Sequence, residues 1–377
     1  MKRSRMKMAC GIVLTALLLA ACDRSVQPAT LPIPSLLPPS LQTSSVPSQE
    51  QSRTALQRFV SERMNGPDGV YTNFRDTEQS GELATGHEVL SESTGLLMRY
   101  YALQKLRSEF DAEWAKAKRV LDMKSGFSYR YSPNKQKRYP LNAAVDDLRI
   151  IRALYEGAHL FQDTGLKVEA DTYGKRFIDY NTKSGYMYDF YDETYKTTNS
   201  FITLCYTDLK TMQLLPMPDE QKTELTRNML GVVQNGYLSE KFPFYETRYD
   251  YKNRSYSSDN INMVESLLTV LALSEVGKHQ PASVRYLKEH VKAGTLFGQY
   301  TKEGKPTNDI RSTAIYAIAA MIGVQVGDRA LYEDALRRMG EFQVKDPISP
   351  LYGGYGDPAT QAAFSFDNLM ALLAHAY

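Results

Sequence analysis

Residues 126–131 read Gly126-Phe127-Ser128-Tyr129-Arg130-Tyr131, and residues 185–190 read Gly185-Tyr186-Met187-Tyr188-Asp189-Phe190. These are two copies of one short glycine–aromatic turn. Working outward, further copies stand at Gly69-Val70-Tyr71 with Phe74, at Phe242-Pro243-Phe244-Tyr245, at Phe297-Gly298-Gln299-Tyr300 and at Tyr352-Gly353-Gly354-Tyr355. Counted from positions 69, 126, 185, 242, 297 and 353, the steps are 57, 59, 57, 55 and 56 residues. A near-constant period of this length marks a repeat architecture, so the period decides the fold before any single helix is assigned.

Each turn follows a charged amphipathic segment, and these predict helices at 52–65, 108–124, 165–182, 219–238, 281–296 and 328–344. In the second, Phe110, Trp114, Ala117 and Leu121 form one stripe of a 3.6-residue helix, which makes Trp114 a core residue. Each turn precedes a more apolar segment: 88–105, 143–161, 199–215, 260–276, 310–323 and 363–376. Ser312–Val324 is apolar nearly all round. Six pairs of one wet and one dry helix predict an all-α (α/α)6 barrel. Its inner ring would run parallel, with every N-terminus opening on one face, inside an outer ring. Ser52–Tyr377 divided by six gives about 54 residues per hairpin. A stacked solenoid is the competing arrangement, though solenoid repeats are shorter, about 33–47 residues.

The 377 residues are 42% hydrophobic and 23% charged, with 45 basic against 43 acidic side chains. That excludes a disordered chain and gives no electrostatic footprint for nucleic acid. Three cysteines (Cys10, Cys22, Cys205) provide no disulfide framework. Lys2, Arg3, Arg5 and Lys7 precede the apolar stretch Gly11–Ala20, in the order of an export signal. Leu19-Ala20-Ala21-Cys22 resembles a bacterial lipobox, which predicts a lipoprotein signal peptide at 1–21 and lipidation of Cys22. Six of the 17 prolines fall in the Pro/Ser-rich stretch that follows, so 22–51 is predicted to be a tether and 52–377 the domain. Maturation removes four basic side chains and no acidic one, leaving a net charge of −2 and no polybasic patch. Membrane attachment would then rest on the N-terminal lipid alone, at the extracytoplasmic face of the cell membrane. Cys205, the remaining thiol, is predicted to be an inert core residue.

Carboxylates stand near the start of nearly every apolar helix: Glu92, Asp146 with Asp147, Asp259, Asp309 and Asp367. Any one alone can be a helix cap worth about 0.5–2 kcal/mol. The barrel gathers them on one concave face among tyrosines, and paired carboxyls in a cleft are the equipment of glycoside hydrolysis. No cofactor or metal is expected. His87, His159, His279, His290 and His375 show no ligand spacing, Gly353-Gly354-Tyr355-Gly356 follows no strand, and no G-x-S-x-G occurs.

Val89-Leu90-Ser91-Glu92-Ser93-Thr94-Gly95-Leu96-Leu97-Met98 resembles the V-S-E-G-Q-G-Y-G-M signature of glycoside hydrolase family 8. Ser91, Glu92, Gly95 and Met98 are kept, while Ser93, Thr94 and Leu97 depart from it. The segment from Asp147 through Ile150, Ala153, Leu154 and Gly157 to Phe161 resembles a second helix of that family. The first Asp of its A-[ST]-D-[AG]-D motif falls on Val145, which leaves Asp146 and Asp147 both open as the sugar-binding acid. The family's general base matches Asp259 by location.

The resemblance implies an inverting, endo-acting hydrolase of a surface or biofilm exopolysaccharide, of the family's lipoprotein branch. Glu92 would be the general acid and Asp259 the general base, although Asp259 is equally an N-cap for a helix starting near Asn260. Tyr206 and Arg311 are candidate substrate contacts, with Arg311 equally a partner for Asp309. Tyr129 and Tyr188, like Tyr131 and Tyr245, either line the mouth or pin the hairpins. The expected partner is polysaccharide, and the expected state a monomer. Two alternatives stay open: a barrel that binds polysaccharide without turnover, and an epimerase or unsaturated-glycuronyl hydrolase on the same scaffold.

Overall fold

The structure, a computed structural model, describes residues 35–41, 47–79, 81 and 83–377. The predicted signal segment and Cys22 lie outside the described residues, as does most of the tether. Among the described residues there are twelve α-helices. They are α1 (Pro47–Phe59, prolonged by a π-helical turn Val60–Met64), α2 (Ser91–Leu103), α3 (Arg107–Val120), α4 (Ala144–Leu160), α5 (Thr164–Asn181) and α6 (Leu209–Met212). The second half holds α7 (Asp219–Asn235), α8 (Met263–Glu275), α9 (Pro281–Ala293), α10 (Thr313–Gln325), α11 (Arg329–Met339) and α12 (Ser365–Ala376).

The even-numbered helices form a closed ring, in which α2 packs on α4, then α6, α8, α10 and α12 follow, and α12 returns to α2. The odd-numbered helices lie outside: α3 on α2, α5 on α4, α7 on α6, α9 and α11 on α10, and α1 on α12. This is the all-α (α/α)6 barrel, and the α12–α2 contact excludes a solenoid, whose end repeats do not meet. Burial follows the two rings. Every residue of α10 from Thr313 to Val324 is buried, whereas α11 buries one stripe, Leu331, Tyr332, Ala335, Leu336 and Met339.

The glycine–aromatic turns recur because they close the inner-helix ends. An α-helix leaves its first N–H groups without partners, and α2, α4 and α12 have no side-chain cap. Their first amides donate instead to a neighbouring turn or loop: Ser91 to the Tyr129 carbonyl (3.2 Å), Ala144 to Asp189 (2.7 Å) and Ser365 to Thr72 (3.0 Å). The fourth residue of three inner helices returns the contact. Asp147 accepts from the Phe127 amide (3.1 Å), Ser266 from Tyr245 (3.3 Å) and Asn368 from Tyr355 (2.8 Å).

Two expectations need correction. The third inner helix does not span 199–215. Phe201–Thr203 is a strand paired antiparallel with Arg248–Asp250, Leu204–Tyr206 is a 3-10 turn, and α6 has only four residues. The β-branched and aromatic run Phe201-Ile202-Thr203 favours extended backbone. Helix restarts only where the Asp208 side chain accepts from the Thr211 amide (2.9 Å), and Pro216 and Pro218 follow. The first outer helix also begins earlier than the expected residue 52. Pro47 opens α1, a position where its missing N–H costs nothing, and Leu36 and Leu41 pack on the core.

Deeper along the ring lies a buried ionic cluster. Arg99 donates to Glu156 at 3.0 and 2.9 Å, and Arg152 donates to Glu156 at 3.1 Å and to Glu275 at 2.8 Å. Tyr377 donates its hydroxyl to Glu275 at 3.0 Å. Lys210 is buried close by, where burial and the Arg152 charge lower its pKa to about 8.

Candidate active site

Glu92 is the second residue of α2. One turn on, Gly95 lets α4 approach, since a Cβ at that position would stand 2.8 Å from the Arg149 Cβ. The approach delivers one guanidinium to two carboxylates. Arg149 Nη1 donates to Asp146 Oδ1 at 2.7 Å and to Glu92 Oε2 at 3.3 Å, and Ser91 Oγ donates to Asp146 Oδ2 at 3.2 Å. The Glu92 side chain keeps 27% of its surface exposed, against 11% for Arg149 and 9% for Asp146.

Burial pushes the Glu92 pKa up to about 7; Arg149 opposes the shift, and the charges of Asp146 and Asp367 add to it. Asp146 is raised too, chiefly by burial, with Arg149 and Ser91 opposing. Asp367, third in α12, accepts from the Ala314 amide at 2.9 Å and is raised by its burial. A carboxyl that retains its proton near neutral pH while touching water has the properties of a general acid.

Tyr206 borders this group. Its hydroxyl is raised by burial and then by the Asp146 charge. Cys205 is half-buried, not a core residue, and burial holds its thiol protonated. The Leu204–Tyr206 turn packs on α8, and the Glu265 carboxylate raises the thiol's pKa further while the Arg149 guanidinium opposes it. Glu265, third in α8, is half-buried and raised by burial, with Arg248 opposing. No motif marks Glu265 in the sequence, but its register does. Asp146-Asp147, Glu265-Ser266 and Asp367-Asn368 occupy the same third and fourth positions of their helices, an acid followed by a turn anchor.

The other candidates sit elsewhere. Asp147 is 1% exposed and bound to the Phe127 amide and to Asn142 Nδ2 (2.7 Å). A Cβ at Gly126 would lie 2.1 Å from its Oδ2, so Asp147 anchors a turn and Asp146 is the one beside Glu92. Asp259 is exposed in a bend between the strands Ser255–Ser257 and Ile261–Asn262. It caps nothing, because α8 begins at Met263 and Asn262 is its N-cap. Asp309 is likewise exposed ahead of α10, which Ser312 caps. Arg311 is exposed, pairs with Glu341 (3.3 Å) and lies over the Phe342 ring (5.4 Å), rather than binding Asp309.

Tyr129 packs edge-on against Tyr139 (5.8 Å) while its carbonyl pins Ser91. Tyr188 packs on Tyr251 (5.0 Å) in a pocket against α7 whose walls include none of the residues around Glu92. Tyr245 is buried, Tyr131 pairs through its backbone with Val89, and Trp114 is core, between Phe127 and Tyr173. Among the described residues no three His, Cys, Asp or Glu side chains are grouped as metal ligands.

No known family profile matches the chain. The protein named "Putative lipoprotein YdaJ" of Bacillus subtilis (strain 168) is 28% identical over 241 residues, 62% of this chain. The match covers 64% of that relative, so the chain spans less than two thirds of its length. A solved structure described as a novel alpha-amylase from Clostridium perfringens aligns with a TM-score of 0.80 at 29% identity, over 86% of this chain and 97% of that one. Endoglucanase Cel10 from Klebsiella pneumoniae, a family 8 glycosyl hydrolase, aligns with a TM-score of 0.57 at 14% identity, over 76% and 97%. The class these likenesses define is therefore one of fold, the (α/α)6 barrel. Its fold is that of glycoside hydrolase family 8.

Proposed function

We propose that this chain is an inverting, endo-acting glycoside hydrolase of an extracytoplasmic polysaccharide, held at the membrane by a lipid on Cys22. The observation that carries the reading is Glu92, a partly exposed carboxyl in the first turn of α2 whose pKa stands at about 7. It gives its proton to the leaving glycosidic oxygen. Asp146, fixed by Arg149 and Ser91, holds sugar hydroxyls beside it, with Tyr206 offering an apolar face and a hydroxyl. An inverting enzyme needs a second carboxylate across the groove to activate water, about 6.5–9.5 Å away. Two carboxylates of the α8 segment are available: Asp259, the sequence expectation, and Glu265.

The substrate is a surface or biofilm exopolysaccharide on the resemblance to the lipoprotein branch. A second reading, an α-glucan, is favoured by the likeness to the alpha-amylase chain over 86% of this protein. Membrane attachment is supported by the lipobox-like Cys22 and by the lipoprotein relative. No helix among the described residues is long and apolar enough to cross a membrane. The test is a reducing-end assay of the mature chain on purified exopolysaccharides and α-glucans, with anomer detection by NMR. Inverted product, lost in Glu92→Gln, is expected. Binding without any new reducing end would establish the non-hydrolytic alternative.

A further inference from the structure

We infer that Glu265 is the catalytic base, activating water opposite Glu92 across the barrel mouth. This rests on the glycosidase reading above and assigns the residue that reading left between two candidates. Ring order places α8 three helices from α2 in either direction, so the two face each other. Glu92 is the second residue of its helix and Glu265 the third, both in first turns. With neighbouring axes about 8–10 Å apart, opposite axes of a six-membered ring are about 16–20 Å apart. Two glutamates reaching inward narrow that gap to a width fit for a sugar ring and one water.

Three observations aim the side chain into the mouth. First, Asp146, Glu265 and Asp367 share one register, each followed by a residue that bonds outward to a turn, and the other two both act on Glu92. Second, beyond Val264 the half-exposed positions of α8 are Glu265, Leu268 and Ala272, a single stripe on a helix otherwise buried. Third, among the described residues the Glu265 carboxylate has no hydrogen-bond or ion-pair partner, whereas Glu156 and Glu275 of the same ring are held by arginines. Removing a carboxylate from water without a partner is costly, and a substrate water supplies the missing contact. Asp259, exposed on its bend, shares none of these features.

In the reaction the water oxygen bonds to the anomeric carbon on the face opposite the leaving group. Glu265 takes the water's proton, the glycosidic C–O bond breaks with its electron pair on the leaving oxygen, and Glu92 protonates that oxygen. The products are an inverted hemiacetal and a free hydroxyl, and proton exchange with solvent resets both acids.

The experiment compares Glu265→Gln, Glu265→Ala and Asp259→Asn in the full chain on a polysaccharide the wild type cleaves. Glu265→Gln is expected to lower kcat about 10²–10⁴-fold, with KM little changed and the acidic limb of the pH profile gone. Azide should restore turnover to Glu265→Ala by filling the vacated space and yielding a glycosyl azide of inverted configuration. Matching thermal melts separate chemistry from misfolding, and azide rescue does so independently. Full activity in Glu265→Gln, failure of azide to rescue Glu265→Ala, or a rescuable loss in Asp259→Asn instead, overturns the inference. A wild type that releases no reducing ends from any polysaccharide overturns the glycosidase reading itself, and this one with it.

Discussion

Arg149 Nη1 sits 2.7 Å from Asp146 and 3.3 Å from Glu92, one guanidinium shared by two carboxylates of different burial. The shorter bond goes to the less exposed acid, so Asp146 takes most of the charge and Glu92 is left partly uncompensated. On the proposed reading, that asymmetry is what sets the sugar-holding Asp146 apart from the proton donor Glu92.

Arg149→Met tests the asymmetry. Arg149 lowers both acids, so its loss raises both pKa values. The alkaline limb of kcat/KM, set by deprotonation of Glu92, should move up by about one unit, the low end of the range for an opposite charge at this distance. The activity maximum should fall as Asp146 loses its orientation. A pH–rate series on wild type and variant reads both, and an unmoved alkaline limb would show that Arg149 does not govern Glu92.

Glu92→Gln should lower turnover about 10²–10⁴-fold and yet stabilise the fold at alkaline pH. The folded pKa of Glu92, about 7, lies above its ordinary 4.5. Its contribution to stability is therefore complete below pH 4.5 and lost as pH rises through 7. Of the order of 1–3 kcal/mol is at stake by linkage. Thermal melts at pH 5 and pH 8 should show the variant gaining on the wild type only at the higher pH.

What was legible in the sequence was the period, because every turn must satisfy the open end of an inner helix and so repeats a glycine or aromatic at fixed spacing. The place of Glu92 in the first turn of an inner helix was legible through the short motif around it. The acids were harder. Asp146 and Asp147 are adjacent in sequence, but successive residues point about 100° apart on a helix, so one faces the mouth and the other a turn. The helices expected to open beside Asp259 and Asp309 begin three or four residues further on, where Asn262 and Ser312 do the capping. Glu265, the proposed base, has no motif around it, and its first-turn position shows only once α8 is seen to begin at Met263 rather than 260. The break at Phe201–Thr203 depends on pairing with Arg248–Asp250, a contact between distant segments that no local pattern records.

The division between Asp146 and Asp147 gives a paired prediction. Asp147→Ala leaves the buried Phe127 amide without an acceptor, at about 1–3 kcal/mol, and takes from Asn142 Nδ2 one of its two acceptors, the other being Asn181 Oδ1 at 2.8 Å. It should lower Tm strongly. Asp146→Asn keeps a polar group facing Ser91 and Arg149, so it should melt close to the wild type while losing activity. Urea denaturation and a reducing-end assay on both variants measure the separation, and equal melting losses would merge the two roles.

Glu275 is the counterion of the deep cluster, with Arg152 on one side and the Tyr377 hydroxyl on the other. Despite its burial, the arginine charge holds its pKa down to about 2, below the ordinary 4.5. Its contribution is thus present above pH 4.5 and lost as pH falls through 2. Glu275→Ala leaves Arg152 with the Glu156 carboxylate it already shares with Arg99 and with Asp208 at 3.8 Å, and breaking a buried pair this way costs about 3–5 kcal/mol. The variant should melt well below the wild type at pH 7 and differ less from it near pH 2. A difference that stayed constant from pH 7 to pH 2 would mean that Glu275 acts by packing, and that the buried ionic cluster adds nothing through its charge.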